Sequence, residues 1–231
     1  LILNYMETDT LHDMIDINQG HDSARNMFAR YEQIPVFTCT TRGPEGYSVS
    51  AAKIVLASGN SSNGDIYFFS HYLGIMGAKG QNEFGGGMYP AAQPPSGKGG
   101  YCKNGVLHLD SAVKIRDITD GTTHTVMVGE HSWDSNVYRP WTIGMGSSLT
   151  SCAGSKNMTY ILNSVGNNAV GQNDLYNDVS FGSSHSGGGT HFLFADGSTH
   201  LIQGDVALGL LLAAASMNES EPVDIIKQQN D

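Results

Sequence analysis

Three of the chain's 9 histidines, His185, His191 and His200, fall around Asp196 in one short stretch. Imidazole and carboxylate together are the groups that hold a transition metal or move a proton near neutral pH. Spacing limits that chemistry. Thr190-His-Phe-Leu-Phe has the aromatic and β-branched composition of a strand, where successive side chains face opposite sides. His191 then shares a face with Leu193 and Ala195, while Phe192 and Phe194 share the other. No second histidine stands at ligand spacing from His185, and its expected role is to hydrogen-bond the backbone of the glycine bend that follows it.

Nucleophilic chemistry is no better served. Ser184 beside His185 in sequence does not place a hydroxyl on the imidazole, there is no Gly-x-Ser-x-Gly elbow, and Glu130-His131 is not His-Glu-x-x-His. The expectation is a protein that is not an enzyme. Asp117, Asp120 and Asp196 are expected to form turns, since Asp accepts bonds from backbone amides two residues on. Trp133, Tyr138 and Trp141 offer an aromatic platform for sugar rings, although such residues also fill loop-rich cores and subunit contacts.

The elements that must position these groups are legible in part. Gly187, Gly188 and Gly189 can take positive φ without steric cost, and Asp196-Gly197 predicts a type I′ turn between Thr190–Phe194 and Ser198–Ile202. Strands are also expected at 53–57 and 65–69, joined as a hairpin, at 106–109, and at 123–128 after the Asp120-Gly121 turn. The Gly- and Pro-rich residues 74–105 read as a long ordered loop or insertion. Helical spacing recurs over residues 1 to about 17 and 21–31, and Pro35 predicts extended backbone over Val36–Cys39. Asp205 is placed to cap a helix over Val206–Met217, with a mobile tail from Asn218.

With 231 residues, 29 of them glycine, 39% hydrophobic and only 15% charged, the chain suits an α+β class with an antiparallel sheet built from hairpins, as one domain over 1–231. A net charge of -10 with 12 Lys and Arg argues against sequence-independent nucleic-acid binding. The longest apolar run, Val206–Ala215, is short of the roughly 20 residues that cross a bilayer. The start at Leu1 reads as processed or cut. Three cysteines, Cys39, Cys102 and Cys152, cannot all pair with one another.

Several segments in order resemble the prepilin-type, pseudopilin-like bacterial envelope proteins that carry a C-terminal H-x9-DG signature, a domain of unknown function. Leu1-Ile-Leu-Asn-Tyr-Met-Glu is similar to that family's Leu-Leu-Pro-Tyr-Leu-Glu, and Pro35-Val-Phe-Thr-Cys39 to its Pro-x-Phe-x-Cys. Ser70 to Gly77 is similar to Asn-Tyr-x-Gly-x-x-Gly, and Arg116 to Glu130 to its Arg-Asp-Ile-Thr-Asp-Gly segment ending in Val-Gly-Glu. His185 to Gly197 carries the signature, with ten residues rather than nine between His185 and Asp196.

The resemblance implies a pilin-like fold whose long apolar N-terminal helix is largely missing, with a short C-terminal helix. It implies a non-enzymatic structural subunit of a pilus-like, pseudopilus or cell-surface filament in the cell envelope. Such a subunit contacts copies of itself or other envelope proteins, and meets the membrane only through the absent helix. It further implies a Cys102–Cys152 disulfide, with Cys39 bonded to the absent segment. No cofactor is certain, but pseudopilin-like folds commonly stabilise a loop with Ca2+, for which Asn173, Asp174, Asn177 and Asp178 form the candidate cluster. His185, Gly187–Gly189, Asp196, Gly197, Asp117, Asp120, Gly121 and Glu130 are its structural signature residues. The alternatives are a cell-surface carbohydrate-binding or adhesive module and a metal-dependent hydrolase centred on His185 and Asp196.

Overall fold

A computed structural model describes residues 3–21, 23–41, 70–90, 99–132, 141, 152, 154–166, 176–221 and 223–229. The expected strands at 53–57 and 65–69, and the start of the chain at Leu1, lie outside them. Among the described residues the fold is α+β. One mixed sheet holds β1 (Tyr72–Ala78), β2 (Val126–Glu130), β3 (Ser155–Met158), β4 (Thr190–Phe194) and β5 (Thr199–Ile202) in the order β3-β1-β2-β4-β5.

The pairs β1–β2, β2–β4 and β4–β5 are antiparallel, as hairpin-built sheets require, but β3 runs parallel to β1. The expectation of a wholly antiparallel sheet is corrected at that edge. A parallel neighbour is reached only by a long crossover, and the four residues Ser-Lys-Asn-Met carry no alternation to announce it.

The β4–β5 hairpin forms over the expected strands, with Thr190 opposite Ile202 and Phe192 opposite His200, a register one residue off the one a two-residue Asp196-Gly197 turn would set. Its turn differs from type I′. Only Gly197 has positive φ (89°), the Gly197 amide donates to the Phe194 carbonyl at 3.0 Å, and the Phe194 amide to that of Ser198 at 2.9 Å. This is a three-residue loop closed by a left-handed glycine. Thr190, Phe192 and Phe194 are buried while His191 and Leu193 are half-buried, the alternation that puts the two phenylalanines in the core.

Residues 72–78 were expected to run into a loop and instead form the central strand, buried along nearly its whole length. Its glycines mark close approach rather than flexibility. At Gly77 (φ 139°) an added Cβ would stand 2.0 Å from Asn104 Oδ1, and the strand register shifts between Ile75 and Gly77. Residues 106–109 are not a strand, although the Gly105 and Leu107 amides donate to Met76 and Ile75 at 3.0 and 3.1 Å.

Helices are short. A 3-10 turn over Leu3–Met6 and helix α1 (Asp9–Met14) fill the first predicted region. The helix expected over 21–31 shrinks to a 3-10 turn at Met27–Tyr31, because the buried Asn26 amide donates to the carbonyls of Asp16, Gln19 and Gly20 and its Oδ1 accepts from the Asp16 amide. Side-chain bonds of this kind compete with a helical ladder. Val36–Cys39 is not extended throughout either, since Pro35 opens a 3-10 turn over Pro35–Phe37 with φ already set for helix.

Helix α2 (Leu208–Ala215) starts later than expected, on Ala207 and without a side-chain cap from Asp205. Six of its eight residues are buried, and it covers the sheet together with Leu73, Ile75, Phe181, Phe192, Phe194 and Ile202. Each large side chain so buried contributes about 1.5–3 kcal/mol. The expected mobile tail is ordered: Glu221, Val223 and Ile225 are buried, and Asp224 caps helix α3 (Ile225–Gln228) by accepting from the Lys227 amide at 3.2 Å.

Candidate functional site

Glu130 ends β2 with its side chain 0% exposed, which in water-free surroundings is tolerable only if donors surround the carboxylate. They do. Ser132 Oγ donates to Oε1 at 2.8 Å, the His191 amide donates to Oε2 at 3.3 Å, and His191 Nδ1 lies 3.3 Å from the same oxygen. His185 Nε2 stands 3.2 Å from Oε1, and Cys39 Sγ lies within 4.8 Å of a carboxylate oxygen. Burial pushes the Glu130 carboxyl up, but the Cys39, Ser132 and His191 donors and the charge of His185 outweigh it and hold it below the usual range.

Four segments far apart in the chain bring these groups together. Cys39 follows the Pro35–Phe37 turn and is fixed by its own amide, which donates to His71 Nδ1 at 2.8 Å. The His71 amide donates to Phe37 and the His131 amide to His71, at 2.7 and 2.6 Å, stitching this segment to the sheet. His185 precedes the glycine bend, with its ring edge-on to His191 at 5.1 Å between centroids. Its Nδ1 lies 2.9 Å from Thr41 Oγ1 and its Nε2 lies 3.6 Å from Cys39 Sγ. Beside the cluster opens a cleft of about 540 Å³, lined by Val36, Cys39, Tyr72, His185, His191 and Thr199 among others.

Thiol, imidazole and carboxylate in one place invite a relay in which histidine takes the thiol proton on one nitrogen and leans on the acid through the other. That order is absent. Cys39 Sγ and Glu130 Oε1 both face Nε2, while Nδ1 faces a hydroxyl. What the geometry does offer is a donor set: one atom each from Cys39, Glu130 and His185, all within 4.8 Å of one another.

The residues singled out in the sequence scatter accordingly. His185 does not turn its ring onto the glycine bend as expected; only its carbonyl does, accepting from the Gly188 amide at 3.0 Å. Asp196 is not near it. The two are separated by the bend and by the five residues of β4, at about 3.3 Å each. The Asp196 carboxylate accepts from the Ser198 amide and hydroxyl at 2.8 and 2.7 Å, which hold it below the ordinary range. A centre built on His185 with Asp196 is therefore corrected, and the acid that meets His185 is Glu130. His200 lies on β5, its Nε2 3.1 Å from Ser198 Oγ.

Asp117 accepts from the Lys114 amide at 2.8 Å, and Asp120 spans a longer distance to accept from the amides of Glu219 and Ser220 at 2.9 and 3.0 Å. Gly121 (φ 102°), Gly187 (83°) and Gly188 (70°) take left-handed conformations, whereas Gly189 does not.

Of the calcium candidates, Asn173 and Asp174 lie outside the described residues. Asn177 and Asp178 are buried with their oxygens committed to the protein. Asn177 Oδ1 accepts from the Cys152 amide at 2.8 Å, Asp178 Oδ1 from Asn157 at 2.6 Å, and Asp178 Oδ2 pairs with Lys79. These two residues are corrected from cation ligands to internal acceptors. Cys39, Cys102 and Cys152 are all buried, and no Cys102–Cys152 bond is formed, although both belong to one small cluster with Met76 and Tyr101. Cys39, which the resemblance pairs with an absent segment, lies against Glu130 and His185.

Trp133 and Tyr138 lie outside the described residues. Trp141 packs against Phe37, the rings 5.9 Å apart and tilted by 49°, and donates its indole N–H to the Glu32 carbonyl at 3.0 Å. Cys39 and Thr41 escaped the sequence as members of this cluster, whereas His191 was among its candidate histidines, and the signal that could have found Cys39 was its place in a family-like motif.

A family model described as "Protein of unknown function (DUF1559)" matches residues 1–208. No curated protein and no solved structure matches the chain.

Proposed function

The chain belongs to the DUF1559 family, and on that footing we propose that it is a non-enzymatic structural subunit of a pilus-like, pseudopilus or other cell-surface assembly, as its prepilin-type motifs imply. One observation carries the reading. Among the described residues, six of the twelve exposed large apolar side chains lie within residues 5–36, with Tyr5 89% exposed, Ile17 67%, Val36 60% and Met14 49%. Single exposed apolar residues need no explanation, but several concentrated in one part of the chain fit a surface covered by neighbouring copies. The signature residues also serve the fold, with Asp196 and Gly197 making a turn and Glu130 saturated by internal donors.

The test is electron microscopy and light scattering of the native, full-length protein. Assemblies are expected, and Tyr5→Ser with Ile17→Ser and Val36→Ser is expected to disperse them. A native chain that remains a monomer at high concentration sinks the reading. A carbohydrate-binding module is the second reading. It draws on a cavity of about 330 Å³ where Trp141 and Phe37 face Asp16, Gln19, His21 and Asn26. Glycan-array binding that is lost in Trp141→Ala would favour it.

A further inference from the structure

We propose that Cys39, Glu130 and His185 form a site for a divalent transition metal of the zinc class, with a fourth coordination position open to the neighbouring cleft. The inference stands apart from the assembly reading and neither requires the other.

The donor chemistry argues first. Thiolate sulfur, imidazole nitrogen and carboxylate oxygen are the three ligand types that Zn2+ accepts together, whereas Ca2+ and Mg2+ demand oxygen alone. The three atoms already lie within 4.8 Å of one another, so a central ion about 2.0–2.3 Å from each is reached by small side-chain adjustments.

The supporting groups argue second, because ligands of a built metal site are held by partners of their own. Thr41 Oγ1 can accept the Nδ1 hydrogen of His185, the tautomer that turns the Nε2 lone pair toward Cys39 and Glu130. Ser132 Oγ holds Glu130 Oε1, the His191 amide holds Oε2, and His71 Nδ1 holds the Cys39 backbone. The cleft lined by Cys39, His185 and His191 supplies an entry path and the open position.

Charge and proton balance close. The Cys39 thiol, beside Glu130 in the metal-free arrangement, loses its proton to solvent as sulfur bonds the ion. Thiolate and carboxylate then neutralise the dication, with His185 neutral. The ion would clamp the Pro35–Thr41 segment to β2 and to the strand-leading loop of β4.

Cobalt(II) titration of the full chain, purified under reducing conditions, tests this directly. One equivalent is expected to raise a near-ultraviolet thiolate-to-cobalt charge-transfer band together with visible bands of tetrahedral intensity, and Zn2+ is expected to displace both. Cys39→Ser is expected to abolish the charge-transfer band. Thr41→Val, which loses only a supporting bond, is expected to weaken binding by about tenfold. Isothermal titration in buffers of different ionisation enthalpy is expected to show proton release on binding, one proton from the Cys39 thiol and, where the imidazole starts protonated, a second from His185. Absence of the band in the wild-type chain overturns the proposal without recourse to any variant. So does a band that persists in Cys39→Ser, which would assign it to Cys102 or Cys152.

Discussion

His185 Nε2 lies 3.2 Å from Oε1 of the fully buried Glu130, so the histidine of one motif closes on the carboxylate that ends another. The contact fastens the loop before β4 to the end of β2, and Cys39 brings a third segment to the same carboxylate. Glu130→Gln keeps the shape but leaves only one acceptor oxygen for four donors. The expected loss is about 2–4 kcal/mol in urea unfolding, since a buried network stripped of its charge leaves donors unpaired. The sign with pH follows from a folded-state pKa below the usual 4.5. Glu130 contributes fully above about 4.5, and its contribution is lost as pH falls through the lowered folded value. The acid limb of the stability curve is therefore expected to flatten in Glu130→Gln.

Glu221 titrates in the opposite sense. Burial, with Asp120 and Glu219 nearby, pushes its carboxyl up to about 7 against the Tyr89 and Asn82 side chains that donate to it. An acid raised on folding stabilises fully below its unfolded value near 4.5, and that contribution is lost as pH rises to about 7. The wild type is expected to lose on the order of 3 kcal/mol across this window. Glu221→Gln is expected to remove most of that slope, read as urea midpoints at pH 4.5, 6 and 8. An unchanged slope in the variant refutes the assignment to this residue.

Gly129 is a packing requirement. A Cβ there would stand 2.5 Å from Phe181 Cδ1 and 2.6 Å from Phe192 Cε1, both rings in the core. Gly129→Ala is expected to cost about 2–3 kcal/mol by forcing the rings apart. Gly197→Ala meets open space but a φ of 89°, and is expected to cost about 1–2 kcal/mol from backbone strain alone. Thermal melts of the two variants separate the causes, because Gly197→Asn should recover part of its loss whereas Gly129→Asn should not.

The thiols make a further check. Burial pushes the Cys102 thiol up to about 12, so almost none of it is thiolate at neutral pH. Under native conditions Cys102 is expected to resist alkylation. Denaturation is expected to release all three thiols of the chain, Cys39, Cys102 and Cys152, to a thiol reagent. A count of one after denaturation would mean that an intrachain disulfide is present.

Local chemistry determined much of what could be read without the fold. The β4–β5 hairpin was legible because alternation and an Asp-Gly turn are encoded over a dozen neighbouring residues, and β2 because Val126 to Glu130 follows another such turn. The α+β class and the two short helical regions near the ends are the same kind of local information. Tertiary structure alone decided the rest. β1 was hidden because its glycines, which read as loop, answer the close approach of residues 104 and 105 and of Ser155. β3 was hidden because parallel pairing has no local signature. The site was legible only residue by residue: His185 and Glu130 stood out in their motifs, but nothing in their spacing said that they touch, or that Asp196 stands a strand away. Burial decides which carboxylate a histidine meets, and burial is a property of the packed sheet rather than of any segment of it.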